Sequence, residues 1–317
     1  MQKNKYKVLV VGELNVDIIL NQIAGFPEVG KEIIADQLTI TLGSSSAIFA
    51  SNLCSLDCEV GFVGKIGKDD NGKLVRSALE STGVNTSELI ETADHQTGIT
   101  VVMNYGMDRA NVTYPGAMNH LSATEIEDTT LKNYNHLHVS SVFLQPELKK
   151  GLVGLFQRAK DLGLSTSIDP QWDPSENWDM DLREILPLTD VFLPNVKEFQ
   201  WMTKTNSLEE GFEYVKHHAN IIVVKDGERG AHMWHQGNVV TKPAFLNANV
   251  ADCIGAGDSF DAGFICQYIK SKELDECLTF GNITGALNTT AHGGTSAFAD
   301  PENIKAYTEE KLCIEIK

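Results

Sequence analysis

Asp252-Cys253-Ile254-Gly255-Ala256-Gly257-Asp258-Ser259-Phe260 is a small glycine-rich turn between two aspartates, and it runs into an apolar, helix-like segment at residues 260–269. Glycine lets backbone N–H groups approach a ligand closely, and the first turn of a helix carries a partial positive charge. Such a turn is suited to binding an anion, most often a phosphate. Asp258 would lie beside that anion, where its carboxylate can take a proton from an attacking hydroxyl. The stretch therefore predicts phosphoryl transfer to an alcohol.

The same nine residues also fit a purely structural turn. In that interpretation Asp252 and Asp258 only cap backbone N–H groups, as short acidic side chains do in many turns. The motif alone leaves both interpretations open, so the rest of the chain has to decide between them.

Length and charge narrow the class of protein. The chain has 317 residues, 42% of them hydrophobic, which is enough for one large α/β domain or two smaller ones. Its formal net charge of −17 argues against nucleic acid or an anionic membrane as a partner, because either needs a basic surface. A local pocket can still bind an anionic substrate. No apolar stretch approaches the roughly 18–20 residues of a membrane span, so we expect a soluble protein.

The N-terminal segment and the cysteines indicate the compartment. Residues 1–11 lead into one apolar run without a small-residue cleavage pattern, so no signal peptide is predicted. The six cysteines show no zinc-binding spacing, and they fit reduced thiols in a cytoplasmic enzyme. A metal centre built from protein ligands alone is not expected.

Short apolar runs alternate with amphipathic stretches along the chain. The runs are β-branched and bounded by turn residues, which is typical of buried strands: 7–11, 60–63, 136–140, 166–169, 191–193 and 221–225. The stretches between them have helical periodicity: 73–81, 148–162, 196–203 and 208–218. Such alternation predicts an α/β protein with a mainly parallel sheet covered by helices on both faces.

Two segments break this alternation. Residues of about 14–42 and 96–117 are rich in turns, and they alternate polar with apolar side chains. We interpret them as a small β lid over one end of the sheet, which would exclude water from the chemistry. The alternative is a pair of surface hairpins without that role. Because an exposed β edge invites pairing, a homodimer through the lid is a further hypothesis.

Polar residues follow several predicted strands, where ligands of open α/β sheets bind. Asn15 and Asp17 follow the first strand and suit recognition of hydroxyl groups, although an Asx-type turn would use the same residues. Asn195 and Glu198 imitate a capping box, and they could also reach Mg²⁺ through water. Lys225 either belongs to a tight turn between two strands or directs its cation at a phosphate.

The whole chain resembles the ribokinase-like (PfkB) family of carbohydrate kinases. Residues 252–260 are similar to the family's C-terminal signature, usually Asp-Thr-x-Gly-Ala-Gly-Asp-x-Phe, with Cys253 in place of the common threonine. The resemblance implies that Asp258 is the base that activates the sugar hydroxyl. It also implies a backbone anion hole for the transferring phosphoryl group, formed by Gly255, Ala256 and Gly257.

The resemblance also implies the fold and the phosphoryl donor. We expect a three-layer α/β fold with a mainly parallel central sheet, flanking helices and a small β lid, with residues 1–317 forming a single domain. ATP would be the donor, together with Mg²⁺. The chain lacks the Gly-x4-Gly-Lys-[Ser/Thr] loop of P-loop kinases, which excludes that class.

Weaker matches assign further residues by the same resemblance. Asn15 and Asp17 are similar to the family's sugar-contacting Asn-x-Asp. Asn195 and Glu198 look like its Asn-x-x-Glu motif, which organises magnesium and phosphate, with Glu198 acting through water. Three residues would contact the nucleotide, the last of them near the adenine: Lys225, Gly227 and Asn282.

A monovalent cation site is implied by one more segment. Residues 291–295, which include Gly294, resemble the loop that encloses such a cation in ribokinase together with an aspartate and a carbonyl oxygen. Asp252 and the Ile254 carbonyl occupy the corresponding positions here. Relatives differ in their need for potassium, so K⁺ is an additional cofactor hypothesis.

The N-terminal signature of the family is altered in this chain. The family pattern starts with Gly-Gly and has an asparagine five residues after the first glycine. Gly43 is present and is expected to contact the substrate, but Ser44 replaces the second glycine and Ile48 occupies the asparagine position. Ile48 cannot hydrogen-bond a sugar hydroxyl. Either the substrate has an apolar or differently oriented group there, or the neighbouring serines, Ser44 among them, take over.

Two other features bear on the substrate. Arg109, in the second lid segment, matches a position where related sugar and ketogluconate kinases often have arginine, and it either binds a carboxylate or lies on the lid surface. Trp172 and Trp178 either stack on a ring of the substrate or anchor the loop by packing, and packing is the favoured interpretation.

The sequence as a whole favours an ATP-dependent kinase that phosphorylates a hydroxyl, preferably a primary one, of a small sugar or sugar acid. One alternative is a nucleoside kinase of the same fold, because Ile48 and Phe49 would suit a base. Another is a non-catalytic protein that binds sugars or nucleotides.

Overall fold

The computed structural model of the protein describes residues 6–105 and 108–315. The strands are β1 (Lys7–Val11), β2 (Asn15–Ile23), β3 (Ala35–Leu42), β4 (Glu59–Val63), β5 (Lys65–Gly67), β6 (Ile90–Thr92), β7 (Gly98–Tyr105), β8 (Asp108–Tyr114), β9 (His136–Ser140), β10 (Ser165–Asp169), β11 (Val191–Phe192), β12 (Ile221–Lys225), β13 (Ala231–His235) and β14 (Asn238–Lys242). The helices are α1 (Ser45–Ser55), α2 (Asp70–Ser81), α3 (Asp128–Leu131), α4 (Pro146–Lys150), α5 (Leu152–Asp161), α6 (Leu182–Ile185), α7 (Val196–Thr203), α8 (Leu208–Val215), α9 (Ala256–Ile269), α10 (Leu274–Asn288) and α11 (Pro301–Glu315).

The central sheet has eight strands in the order β14-β13-β12-β11-β10-β9-β1-β4. The strands from β4 to β12 pair in parallel, and β13 and β14 add an antiparallel hairpin at one edge. The six strands predicted from the sequence all belong to the parallel part. Because parallel strands end at the same edge, the loops after β1, β9, β10, β11 and β12 meet there.

Helices cover both faces of this sheet. Val8 and Val10 of β1 pack on one face against residues of α1, α2, α9 and α10. Leu9 and Val11 pack on the other face against α5, α7 and α8. The alternation along a single strand shows that both faces are buried, as in a three-layer α/β fold. The assignment of residues 1–317 to one domain stays a prediction.

Several helix boundaries differ from the predicted ones. The predicted helix 148–162 is two helices, α4 and α5, which meet at Gly151, where an added Cβ would lie 2.6 Å from Ala123 Cβ. The predicted helix 208–218 ends already at Val215. The apolar segment 260–269 is the later part of α9, which begins at Ala256 because Gly255 adopts the left-handed conformation with φ of 77°. Asp258 therefore lies in the first turn of a helix.

The two predicted lid segments form one four-stranded sheet, here called the small sheet, in the order β3-β2-β7-β8. Asp17 of β2 is opposite Thr100 of β7, which in turn is opposite Thr113 of β8. These three residues share the face that lines the main cleft. Residues 106 and 107, between β7 and β8, lie outside the described part of the chain.

Candidate active site

A cleft of about 1140 Å³ lies between the C-terminal ends of the central strands and the small sheet. Most of the residues predicted from the sequence line it: Asn15, Asp17, Ser44, Arg109, Asn195, Glu198, Lys225, Gly227, Ile254, Gly255, Gly257 and Asp258. The structure thus brings together residues from the start and the end of the chain. Four predicted residues, Asp252, Ala256, Asn282 and Gly294, are outside this lining, and Gly43 lies behind Asn15 and Asp17.

The turn at residues 252–260 places the N-terminus of α9 beside the cleft. Gly255 is the N-cap of α9, and an added Cβ there would lie 2.8 Å from Gly294 Cα, so only glycine fits without a backbone shift. The first N–H groups of a helix have no carbonyl partner four residues earlier. Gly257 lies in this first turn and lines the cleft, where an added Cβ would be 3.7 Å from Lys225 Nζ. A helix N-terminus and a cation therefore share one side of the cleft.

Asp258 is buried in the same helical turn, with 7% of its surface exposed. Gln171 Nε2 donates a hydrogen bond of 2.9 Å to its Oδ1. Burial, with the negative charge of Asp169, raises the pKa of Asp258 to about 7. A carboxylate whose pKa lies near neutral pH can accept a proton from a hydroxyl and still be ionised often enough to do so.

The end of the cleft under the small sheet presents polar groups of β2 and β7. Asn15 Nδ2 donates to Asp17 Oδ1 at 2.7 Å and to Thr100 Oγ1 at 3.0 Å. Burial raises the pKa of Asp17 to about 6, while Asn15 and the charge of Arg109 act in the opposite direction. Gly43 is required here, because an added Cβ would lie 2.1 Å from Asp17 Oδ1. This arrangement of acceptors and donors suits sugar hydroxyls.

Arg109 is an exposed residue of β8 that lines the cleft. Its positive charge is close enough to lower the pKa of Asp17. A guanidinium in the cleft lining suits an anionic group of a substrate.

Ser44, at the position of the family's second glycine, has a positive φ that residues other than glycine seldom adopt. Its φ is 77°, and its side chain accepts from the Ala47 N–H at 3.0 Å and donates to the Glu13 carbonyl at 2.6 Å. The second substituted residue, Ile48, packs against the backbone of Gly294, where an added Cβ would lie 2.4 Å from Ile48 Cδ1. The altered signature thus places an apolar group in the cleft lining.

Glu13 is a buried acid of the cleft lining that was not predicted. Its carboxylate accepts hydrogen bonds from the backbone N–H and the hydroxyl of Ser46 at the start of α1. Burial raises its pKa above the ordinary value. It therefore ties the loop after β1 to the first turn of α1.

Asn195 and Glu198 form the capping box of α7. Asn195 Oδ1 accepts from the Glu198 N–H at 3.0 Å, and Glu198 Oε2 accepts from the Asn195 N–H at 2.8 Å. Glu198 is nevertheless in the cleft lining, and burial together with Asp169 raises its pKa. Capping and a role toward the cleft are thus compatible, because one carboxylate oxygen is enough for the cap.

Lys225 is the cation of a buried ion cluster. Its Nζ donates to Asp261 Oδ2 at 2.7 Å and to Asp169 Oδ2 at 2.9 Å. Burial alone would lower the pKa of Lys225, but the two carboxylates outweigh it and raise the pKa. Burial raises the pKa of Asp261 well above its usual range, and Asp169 adds to this effect. Lys225 thus bridges two buried carboxylates, which hold its ammonium beside the first turn of α9.

The remaining predicted residues lie around this cleft. Gly227, after β12, lines it and has a left-handed φ of 56°. Asn282 is a buried residue of α10, and its Nδ2 donates to the Lys242 carbonyl at 3.4 Å. The predicted adenine contact of Asn282 therefore stays a prediction without a place in the cleft lining.

The predicted cation residues are close to one another beside α9. Asp252 Oδ2 accepts from the Gly293 N–H at 2.9 Å. The Ile254 carbonyl accepts from Asn288 Nδ2 at 2.6 Å, and the Gly294 carbonyl accepts from Asn52 Nδ2 at 2.9 Å. Each carbonyl oxygen has a second lone pair that a cation could use.

Besides Glu13, three polar residues of the candidate site were not identified from the sequence: Asp169, Gln171 and Asp261. Asp169 is the last residue of β10 and Gln171 lies two residues after it, so the strand-end rule that selected Asn195 could have found them. Asp261 lies three residues after Asp258, on the neighbouring turn of α9, but the helix was predicted to begin only at residue 260.

Trp172 is 44% exposed and lines the cleft, whereas Trp178 is buried as its packing role predicts.

The fold and this cleft define a class of small-molecule kinase: a parallel sheet ends at a helical glycine turn that carries a buried carboxylate, under a small sheet that offers polar groups. The chain belongs to the pfkB family of carbohydrate kinases, whose model matches residues 5–301. This membership confirms the predicted family and the predicted phosphotransferase class.

Individual relatives agree with this assignment. The chain is 29% identical over 309 residues to the ATP-dependent ribose-1-phosphate kinase of Halopiger xanaduensis, with 96% of this chain and 99% of that protein covered. It is 23% identical to the 2-dehydro-3-deoxygluconokinase of Bacillus subtilis, with coverages of 99% and 98%. The solved structure of Arabidopsis thaliana ribokinase with ribose and ATP has a TM-score of 0.82 at 24% identity, covering 96% of this chain and 98% of that one. The last likeness confirms the ribokinase-like fold.

Proposed function

We propose that the protein is an ATP-dependent kinase that transfers a phosphoryl group to a hydroxyl, preferably a primary one, of a small sugar or sugar acid. The observation that carries the proposal is the position of Asp258, a buried carboxylate in the first turn of α9 that faces the cleft shared with Asn15 and Asp17. The two relatives compared by sequence support the proposal, because the ribose-1-phosphate kinase and the 2-dehydro-3-deoxygluconokinase are both kinases of sugar derivatives.

The proposed roles follow from this geometry. Asn15 and Asp17 hold the acceptor through its hydroxyls, with Gly43 and Ser44 shaping that end of the cleft. Asp258 takes the proton of the reacting hydroxyl, and the backbone of residues 255–257 binds the phosphoryl oxygens. Lys225, beside Gly257, adds positive charge on the same side. Arg109 binds an anionic group of the acceptor where the acceptor has one.

The donor set of the cleft also fits magnesium. Among the residues that the structure describes, no group of three His, Cys, Asp or Glu side chains could hold a metal ion alone. Mg²⁺ in kinases is bound mostly by phosphates and water, with one or two carboxylates. Glu198, buried in the cleft lining and oriented by Asn195, would hold it through water. When bound, the metal neutralises phosphate charge.

Two further parts of the proposal concern the nucleotide and the cation. Gly227 would contact ATP beside Lys225, and Asn282 would approach the adenine. Potassium would be held by Asp252 and by the carbonyl groups of Ile254 and Gly294.

A substrate panel tests the proposal. MgATP turnover and thermal shifts are measured with ribose 1-phosphate, D-ribose, fructose, 2-dehydro-3-deoxy-D-gluconate, adenosine and inosine, in KCl and in NaCl. A ligand that binds only the native state raises Tm, so the acceptor should give both turnover and a shift. A raised Tm and turnover with nucleosides alone would favour the nucleoside kinase. The apolar side chain of Ile48 in the cleft lining is the observation that supports this alternative. Measurable ATP binding without turnover on any acceptor would favour a non-catalytic protein.

The rate of the reaction should depend on pH through Asp258. Because its pKa is raised to about 7 and the base must be ionised, kcat/KM should fall about tenfold per unit as pH decreases below 7. The measurement is a profile of log kcat/KM from pH 5.5 to 9 with the acceptor that the panel identifies. A profile that stays flat between pH 5.5 and 7 would show that another group, or none, accepts the proton.

The outer face of the small sheet supports a homodimer. Ile40, Ile18, Val101 and Val112 form a continuous row across β3, β2, β7 and β8. The ends of this row are open to solvent, with Ile40 52% and Val112 62% exposed. We infer that this apolar face pairs with the same face of a second copy, because monomers rarely leave such a contiguous patch exposed.

Val112→Glu should therefore convert a dimer into a monomer. A carboxylate at this position of a closed apolar interface would be buried without a partner, at a cost that exceeds the pairing energy. Molar mass is measured by light scattering after size exclusion. The control is Val239→Glu, at an exposed valine of β14 with 53% exposure. A wild-type protein that is monomeric at high concentration would contradict this proposal.

The compartment is part of the proposal as well. All six cysteines lie in the described part of the chain, where they form no disulfide bonds, which fits the cytoplasm. Of the helices between residues 6 and 315, outside the gap at 106 and 107, none is long and apolar enough to span a membrane.

A further inference from the structure

Gln171 connects the proposed base to the buried ion cluster. Its Nε2 donates one hydrogen bond of 2.9 Å to Asp258 Oδ1 and another of 2.6 Å to Asp169 Oδ2. A side-chain amide nitrogen has two hydrogens, so both are used. Asp169 in turn accepts from Lys225 Nζ at 2.9 Å. A continuous chain of hydrogen bonds therefore runs from the lysine to the base.

The chemistry of its two partners fixes the orientation of this amide. Both partners are carboxylate oxygens, which only accept hydrogen bonds when ionised. A rotated amide would place its own oxygen against both of them and would lose both bonds. The nitrogen of Gln171 consequently faces Asp169 and Asp258, and the amide separates two negative charges that would otherwise repel each other.

The backbone of Gln171 is held in an uncommon conformation. Its φ is 58°, in the left-handed region that residues other than glycine seldom adopt. Its N–H donates to Asp169 Oδ1 at 3.3 Å, so the turn after β10 is closed by the same aspartate. Uncommon conformations of this kind persist where the surroundings enforce them, frequently at functional sites. The side chain also lines the cleft.

We propose that Gln171 is a positioning residue that holds Asp258 ionised and oriented toward the acceptor hydroxyl. The inference rests on the proposed function, in which Asp258 takes the proton. The amide N–H stabilises the ionised form of Asp258, because hydrogen bonds to charged groups are stronger than those between neutral ones. It also leaves Asp169 bonded to both Gln171 and Lys225, so the charge beside the base is compensated.

Gln171→Met tests this role with a side chain of similar volume and no donor. Loss of the N–H raises the pKa of Asp258, so the acidic limb of kcat/KM should move up by about one pH unit. At pH 7, kcat/KM should fall about fivefold, because a pKa one unit higher lowers the ionised fraction of Asp258 by that factor, and the KM for ATP should be unchanged. Gln171→Glu, which places a third carboxylate at this point, should shift the limb further in the same direction. The assay uses MgATP with whichever of ribose 1-phosphate, D-ribose and 2-dehydro-3-deoxy-D-gluconate has the highest kcat/KM.

Gln236→Met is the matched control. Gln236 is an exposed glutamine with a left-handed φ of 49°, in the turn between β13 and β14. Gln236→Met shows how much a methionine with a left-handed φ changes Tm when no contact with the cleft is involved. It should leave the pH profile of kcat/KM unchanged. Tm of both variants shows whether the fold is retained.

The outcomes separate this inference from the proposed function. One outcome is that Gln171→Met keeps the pH profile and the kcat/KM of the wild type while Asp258→Asn loses activity. This would overturn the role of Gln171 but would still support Asp258 as the base. Full activity in both variants would overturn the assignment of Asp258 and the inference with it. A shifted limb in Gln171→Met but not in Gln236→Met supports the positioning role.

Discussion

Asp258→Asn is expected to lower kcat by about 10²–10⁴ while ATP binding and the fold are retained. An asparagine side chain has nearly the same size, and its oxygen can still accept the hydrogen bond from Gln171 Nε2. It cannot accept the proton of an acceptor hydroxyl, however. The removal of a buried carboxylate with a raised pKa should leave Tm unchanged or higher, since the charged form is disfavoured by burial.

The comparison needs three measurements and one control. ADP release gives kcat, calorimetric titration gives the affinity for ATP, and a thermal scan gives Tm. Asp70→Asn is the control, because Asp70 also lies in the first turn of a helix, α2, but is fully on the surface. Turnover of Asp258→Asn within a few fold of the wild type would remove Asp258 from the proposed role.

Lys225→Met is expected to destabilise the protein by about 3–5 kcal/mol, the typical cost of removing one partner from a buried ion pair. Asp169 and Asp261 each expose only 1% of their side chains, and Lys225 exposes 12%. Without the ammonium, this acidic cluster is buried without its cation. The free energy of unfolding is measured by urea denaturation at pH 7.

Two further variants locate the cause of that loss. Asp169→Asn in the Lys225→Met background removes a buried carboxylate that has lost its cation, and it should restore part of the stability. Lys216→Met removes an exposed lysine that pairs with Glu213, and its effect should be below about 1 kcal/mol. If Lys225→Met lowers the free energy of unfolding as little as Lys216→Met does, the buried ion cluster does not hold this edge of the sheet together.

Local patterns predicted the parts of the site that depend on neighbours in sequence. Two of these parts are formed by residues only a few positions apart, so a sequence pattern can identify them. They are the glycine turn with Asp258 and the capping box of Asn195 and Glu198. Asn15, Asp17 and Lys225 follow from the rule that polar residues after parallel strands meet at one edge. The predicted lid segments also proved to be one sheet.

Other parts of the site depend on contacts that are distant in sequence. Gln171 and Asp258 are 87 residues apart, and Lys225 and Asp169 are 56 apart, so no local pattern pairs them. The break of the predicted helix 148–162 at Gly151 results from close packing against Ala123, which only the folded chain reveals. Ile48 was identified as a departure from the family pattern, but its packing on Gly294 required the structure.

The central claim is that the protein forms a phosphate ester on a sugar or sugar-acid hydroxyl. Phosphorus-31 NMR of a reaction containing MgATP and each acceptor of the panel tests it most directly. We expect a new phosphomonoester signal with a sugar or sugar acid, in an amount equal to the ADP formed, and none with the Asp258→Asn variant over the same time. ADP appearing together with inorganic phosphate alone, or an ester only with nucleosides, would contradict the claim.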